Sequence, residues 1–263
     1  MKIRLLNYEL ELLPEKGVYW SQHRTLFVAD THFGKEATFR FHNIPVPDGS
    51  TTGTLRAITR MIQQTRAESL VILGDMFHAR SSLSTKIQAQ LQGFRQQHPE
   101  LKIKLVLGNH DRPLGDLPAS WKVDVVPIGE FADGLAIGHE PDDIPNDVAL
   151  LLCGHLHPAV SVISVVDRTK RLPCFWWHQK RLVLPAIGGF TGCSTIKPTP
   201  TDGVWIIAEG KVLAYPQRKS NSSHRNSLQR SNPSETIGSN VVILNNRKPF
   251  RIQSSSCPEN TAV

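Results

Sequence analysis

No apolar run in this sequence approaches the ~18 residues that a membrane-spanning helix needs. A helical membrane protein is therefore not expected. Cysteine is scarce: Cys153, Cys174, Cys193 and Cys257 are the four, and no two form a CxxC pair. A chain of 263 residues is also too long for a disulfide scaffold, so free thiols in a reducing compartment are expected. Cys153 lies in an apolar run and reads as core. The N-terminal MKIRLLNYELELL has Glu9 and Glu11 inside its apolar residues, which does not suit a signal peptide. A cytoplasmic location is the expectation. There is no internal repeat.

Acidic residues are the minority. The net charge of +7 suggests a nucleic-acid partner until its location is considered. Residues 216–263 hold seven Lys or Arg and two Glu, so this tail supplies +5 and residues 1–215 about +2. The tail includes QRKSNSSHRNSLQRSNPSE, which offers almost nothing to bury. Such a composition cannot offset the entropy of ordering, and a disordered segment is expected. VVIL at 241–244 is a short apolar island within it. Residues 1–215 read as one α/β domain, long enough for a substantial core.

Within that domain, short apolar runs end repeatedly at polar residues. TLFVAD ends at Asp30, SLVILGD at Asp75 and IKLVLGNHD at Asn109, His110 and Asp111. GLAIGHE ends at His139, and VALLLCGHLH at His155 and His157. Each run is rich in Val, Ile and Leu, as in strands buried on both faces. Helical spacing separates the first three. Residues 50–66 align Leu55, Ile58 and Ile62, and residues 83–97 align Leu83, Ile87, Leu91 and Phe94. The order β-α-β-α-β implies parallel pairing through right-handed crossovers. From about 122 onward strands follow without long helices, which predicts mixed or antiparallel sheet. ADG and AEG mark hairpins there.

In open α/β sheets, ligands bind beyond the carboxyl ends of the strands. If these strands are neighbours, the polar ends converge. Asp, Asn and His without thiolate suit Mn, Fe or Zn. Asp30-x-His32 and His155-x-His157 have i, i+2 spacing, which on an extended segment points both side chains to one side. The glycines before Asp75, Asn109, His139 and His155 allow tight backbone geometry where the chain leaves the sheet.

The ordered series Asp30-x-His32, Gly74-Asp75, Gly108-Asn109-His110-Asp111, Gly138-His139 and Gly154-His155-x-His157 resembles the calcineurin-like metallophosphoesterases. Longer stretches are similar to the DNA-ligase-associated members: DTHFGKEATFRFHNIPVPDG, GNHDR, GHLHP and RLPCFW. The resemblance implies a four-layer αββα sandwich of two mixed sheets. It implies two divalent ions, manganese first, with iron or zinc as alternatives. Asp30, His32, Asp75 and His157 would hold one, and Asp75, Asn109, His139 and His155 the other. A metal-activated water would then hydrolyse a phosphodiester, in DNA and during repair. His110 would be the catalytic acid or charge stabiliser, and Asp111 would orient His110 or a metal ligand, with a cap or turn carboxylate as the other reading of Asp111. The implied partners are DNA and the ATP-dependent ligase, helicase and exonuclease encoded with that group.

Other residues carry open readings. Lys35 and Arg40 follow the first ligand motif, either in a structural loop or in one that meets phosphate. His78 could touch substrate or lie on the surface, and Arg112 could clamp phosphate or be a simple surface charge. His23, His98 and His178 read as surface residues. Of Trp176 and Trp177, one is expected in the core, because adjacent strand residues face opposite ways. Two other functions fit the same motifs: a phosphatase or phosphodiesterase of a small nucleotide or ester, and a non-catalytic metal-binding adaptor in a repair complex.

Overall fold

The computed structural model describes residues 1–163 and 169–216. The expected disordered tail, Pro216 apart, lies outside the described residues, as does the VVIL island.

The chain opens with β1 (Lys2–Leu5), β2 (Tyr8–Leu12), β3 (Val18–Trp20) and β4 (Thr25–Val28), paired in an antiparallel meander. The signal was present in the sequence. YELEL alternates, and Tyr8, Leu10 and Leu12 are buried while Glu9 and Glu11 face outward. Then come α1 (Lys35–Phe41), α2 (Ser50–Thr65), β5 (Ser69–Leu73), α3 (Thr85–Gln97), β6 (Lys102–Val106) and β7 (Val123–Val126). Strands β4 to β7 pair in parallel, as the β-α-β-α-β order predicts. The first sheet runs β1 to β7 in chain order, half antiparallel and half parallel.

The second sheet is built from β8 (Gly129–Ala132), β9 (Leu135–Ile137), β10 (Leu150–Cys153), β11 (Pro158–Ile163), β12 (Thr169–His178), β13 (Arg181–Val183), β14 (Ser194–Thr195), β15 (Gly203–Ala208) and β16 (Lys211–Ala214). Its pairing is mixed. β10 lies parallel to β9 and β13 at the centre, and antiparallel hairpins flank it. The ADG and AEG turns close β8–β9 and β15–β16.

Both faces of the parallel strands are buried. On β4, Leu26 and Val28 face the helices, whereas Phe27, and Ala29 just beyond the strand, face the second sheet. On β5, Leu70 and Ile72 face the helices, and Val71 and Leu73 the second sheet. Between the sheets lie Leu10, Trp20, Phe27, Leu150, Leu152, Phe175, Leu182 and Trp205. Each such side chain contributes about 1.5–3 kcal/mol over exposure. Cys153 is buried, as expected, on the outer face of the second sheet. Trp177 packs against the inter-sheet core and Trp176 against the outer clusters, so adjacent residues do face opposite ways.

Leu55, Ile58, Met61 and Ile62 press α2 onto the first sheet, and Ile87, Leu91 and Phe94 do the same for α3. Ser84 caps α3 by accepting from the Ile87 N–H at 3.4 Å, so the helix begins at Thr85. The helical layer covers one side only. Among the described residues no α-helix lies on the outer face of the second sheet, where a four-layer sandwich has its last layer. There Ile144, Val148 and Leu156, from the chain around β10, pack on Leu151, Cys153 and Val183. No helix of the described residues is long and apolar enough to cross a membrane.

Candidate metal centre

The ends of β4, β5, β6, β9 and β10 meet at one rim between the sheets. All seven expected ligands come to it. Asp30, His32 and His157 form one group, and Asp75, His139 and His155 form another. In each group one donor atom per residue lies within 4.8 Å of the others. Asp75 faces both groups: Oδ1 is 3.5 Å from His139 Nε2, and Oδ2 is 3.9 Å from His32 Nε2. Asn109 joins the second group, with Oδ1 3.0 Å from His139 Nε2.

The backbone that presents these ligands is not extended. Asp30, His32, Asp75, His155 and His157 all have positive φ, between 41° and 67°. The paired i, i+2 ligands share a side because the chain coils left-handed past the strand end. That conformation costs on the order of 1 kcal/mol per residue and is found where the surroundings enforce it. The neighbouring glycines act by clearance. A Cβ on Gly74 would overlap the His139 ring, one on Gly108 the Asp75 carboxylate, and one on Gly154 the Asp30 carboxylate.

The hydrogen bonds orient the imidazoles. His139 Nδ1 lies 3.0 Å from the Leu73 carbonyl and His157 Nδ1 lies 3.1 Å from the Thr191 carbonyl. A carbonyl only accepts, so each Nδ1 carries the proton and each Nε2 turns a lone pair inward. His157 Nε2 then faces Asp30 Oδ1 at 3.6 Å, and His139 Nε2 faces the oxygens of Asp75 and Asn109. His32 is buried, and its Nδ1 has no hydrogen-bond partner among the described residues. Burial, followed by Lys35 and the neighbouring imidazoles, pushes His32 down to about 2, so it stays a neutral donor. Burial also raises the Asp75 carboxyl above its ordinary value. Converging lone pairs and an orphaned ring nitrogen fit divalent cations with mixed oxygen and nitrogen ligands.

The remaining expected residues separate. His110 sits at the rim with Nε2 3.9 Å from Asp75 Oδ2, and its Nδ1–H donates to the His78 carbonyl at 2.8 Å. Asp111 is buried and does not orient His110. Its carboxylate accepts from the N–H groups of Met76 and Phe77, both at 3.1 Å, and of Gly108 at 3.0 Å. It clasps the Asp75 loop to the Asn109 loop. The His78 ring stacks on His110 at 5.0 Å and is pushed down to about 4, by burial first. Lys35 is lowered by burial, with Asp75 and Asp30 opposing that shift, and its ammonium lies 5.7 Å from the centre of the Phe39 ring. Residues 35–41 are helix rather than loop, and Arg40 is paired with Asp48, away from the centre. Arg112 is exposed on a short turn beyond His110.

Sequence reasoning missed Asp143, whose Oδ2 accepts from the His139 and Glu140 N–H groups at 2.8 and 2.7 Å. Its signal was the carboxylate four residues after His139. It also missed Glu36. That buried carboxylate accepts from the Thr51 N–H at 3.0 Å and caps α2 from the far side of the ligand loop.

Two mixed sheets with paired donor groups at one rim define a metal-dependent phosphoesterase. The chain belongs to the calcineurin-like phosphoesterase family, whose model matches residues 23–181. It is similar to Pseudomonas putida nuclease MPE, at 34% identity and a TM-score of 0.71 over 82% of this chain and 99% of that one. A remoter likeness is to YfcE, a phosphoesterase from E. coli, at 16% identity and a TM-score of 0.38, covering 72% of this chain and 96% of that one. No curated protein sequence matches the chain.

Proposed function

We propose that the chain is a nuclease that hydrolyses phosphodiesters in DNA with two divalent ions. The observation that carries this reading is the twin donor set shared through Asp75, with His110 beside it. The similarity to a nuclease over nearly that protein's whole length supports the substrate class.

Asp30, His32 and His157 would hold one ion, and Asp75, Asn109, His139 and His155 the other, with Asp75 shared. When bound, the ions supply a nucleophilic water at neutral pH and neutralise charge on the phosphoryl group. The chain's own residues do the rest. His110 Nδ1–H is tied to the His78 carbonyl, so Nε2 is the atom presented to substrate. Protonated there, it stabilises phosphoryl oxygen charge or gives its proton to the leaving oxygen. The Lys35 ammonium meets a non-bridging oxygen. Asp111 and Asp143 hold the ligand loops in register through backbone N–H groups. The finer reading, carried by the resemblance in the motifs, is manganese as the metal and repair beside an ATP-dependent ligase as the setting. Residues 1–215 would form the catalytic domain.

The test uses metal-stripped protein given Mn²⁺. Single-stranded DNA, duplex DNA and bis-p-nitrophenyl phosphate are assayed in parallel. Cleavage of DNA by wild type, lost in Asp75→Asn and His110→Ala, is the expected result. Hydrolysis of the small ester alone replaces DNA with a small phosphoester. Two bound metals with no hydrolysis replace the enzyme with an adaptor.

A further inference from the structure

The first ligand loop continues past the rim as α1, which starts at Lys35 and runs outward to Phe41. At 1.5 Å per residue, its length is about 10 Å. The turn at Arg80–Ser82, which follows the Asp75 loop, packs beside it. Thr38 Oγ1 lies 3.1 Å from Ser81 Oγ and 3.0 Å from Ser82 Oγ. A Cβ on Gly34 would overlap the Ser82 backbone. Helix and turn thus form one firm shoulder beside the centre.

Phe41 stands at its outer end and is 73% exposed. Among the described residues it is the one exposed Phe, Tyr or Trp, and the exposed His42 ring meets it edge-on at 5.3 Å. Ile44, also exposed, follows it. The exposed charges around them are Arg40, Arg80 and Lys86 against the single carboxylate of Asp48, which Arg40 and Lys86 both engage. Glu36, the one acid of α1, is buried and turned toward α2. An open aromatic ring among cations suits a nucleic-acid strand with unpaired bases, because every base has a π face and every linkage a phosphate. A second copy of this chain fits poorly, since it would bring the same three cations together.

We propose that Phe41 stacks on an unpaired base of the strand whose scissile phosphate lies at the metal centre, with Arg80 and Lys86 beside its phosphates. This rests on the nuclease reading. It commits the substrate to a single-stranded or locally opened segment, since a paired duplex presents no free base face to the ring.

The test uses the full chain loaded with Mn²⁺, an oligo-dT strand, the same strand with abasic sites, and bis-p-nitrophenyl phosphate. Fluorescence anisotropy reads binding, and cleavage is scored as the ratio of DNA to small ester. Phe41→Ala is expected to weaken binding of oligo-dT by roughly 5- to 150-fold. It should also erase the wild-type preference for dT over abasic strand and lower the cleavage ratio. Phe41→Trp should keep that preference. Unchanged dT binding in Phe41→Ala, or equal loss on both strands, would overturn the proposal. So would a dimer that Phe41→Ala disperses without changing strand binding. Wild type that cleaves the ester yet neither binds nor cuts any strand removes the nuclease reading itself. Strand cutting that ignores Phe41 leaves that reading standing and removes only the platform.

Discussion

Phe27 and Asp30 are three residues apart, and both are completely buried. Phe27 lies between the sheets and meets Phe131 edge-on at 5.5 Å, in ordinary strand backbone. Asp30 lies at the rim in left-handed backbone, with His139 and His157 nitrogens 4.0 and 3.6 Å away. The inter-sheet core gains free energy by leaving water. The rim loses it: carboxylates, neutral imidazoles and coiled backbone are all held against their preferences. The core therefore offsets what the rim costs, and cations recover part of that cost when they bind. Changes at the rim should remove chemistry without removing the fold, and changes in the core should do the reverse.

The largest expected effect tests the rim. Asp75→Asn should end Mn²⁺-dependent hydrolysis of every ester, while the melting midpoint of metal-free protein holds or rises. The reason is that burial disfavours the Asp75 carboxylate. A large drop in that midpoint would contradict the comparison. His110→Ala should lower kcat by about 10²- to 10⁴-fold. Calorimetry should still count two ions, since His110 stands outside both donor groups. Lost stoichiometry would make it a ligand instead. In the core, Phe27→Ala should cost about 3–5 kcal/mol in denaturant unfolding. The fraction that stays folded should keep its specific activity.

Asp111 belongs to both regions and sharpens the boundary. Asp111→Ala strands three N–H groups, so unfolding should come about 1–3 kcal/mol easier, or more. Metal affinity should fall about 10- to 100-fold, because the clasp holds the Asp75 loop. Loss of stability with unchanged affinity would assign Asp111 to the core alone. The smallest effect is on pH. His32 and His78 are held at about 2 and about 4 in the folded protein, against 6.5 when free. The unfolded chain therefore binds more protons below 6.5. Their stabilisation is complete above pH 6.5 and erodes as pH falls, to about 4 for His78 and on to about 2 for His32. Asp75 and Asp111, raised by burial, act in the opposite sense where they titrate. A melting midpoint of metal-free protein that stays flat from pH 7.5 to 5 would count against buried neutral imidazoles.

Much of this was legible along the chain. A buried strand needs an unbroken run of Val, Ile and Leu, and a site at its end needs polar residues just beyond. Both requirements are local, so the strand ends and the polar residues beyond them could be read directly, while the division into seven donors and His110 came from the family resemblance. Helices α2 and α3 were legible for the same reason, from spacing within one segment. The meander at the start went unread, although YELEL alternates between buried and outward residues. What escaped was decided by neighbours distant in sequence. Asp111 stands beside His110 in the chain, yet its carboxylate turns to backbone N–H groups delivered by the β5 loop. Arg40 follows a ligand motif, but Asp48 takes its charge. The i, i+2 pairs share a side through left-handed backbone, which the packing around Gly74, Gly108 and Gly154 imposes and no spacing reveals. The sequence alone determined which atoms could donate and where each strand would release them. Only the tertiary structure decided their grouping, because parallel pairing of β10 with β9, and the facing of the two sheets, bring His139, His155 and His157 against Asp30 and Asp75 across as many as 127 positions of chain.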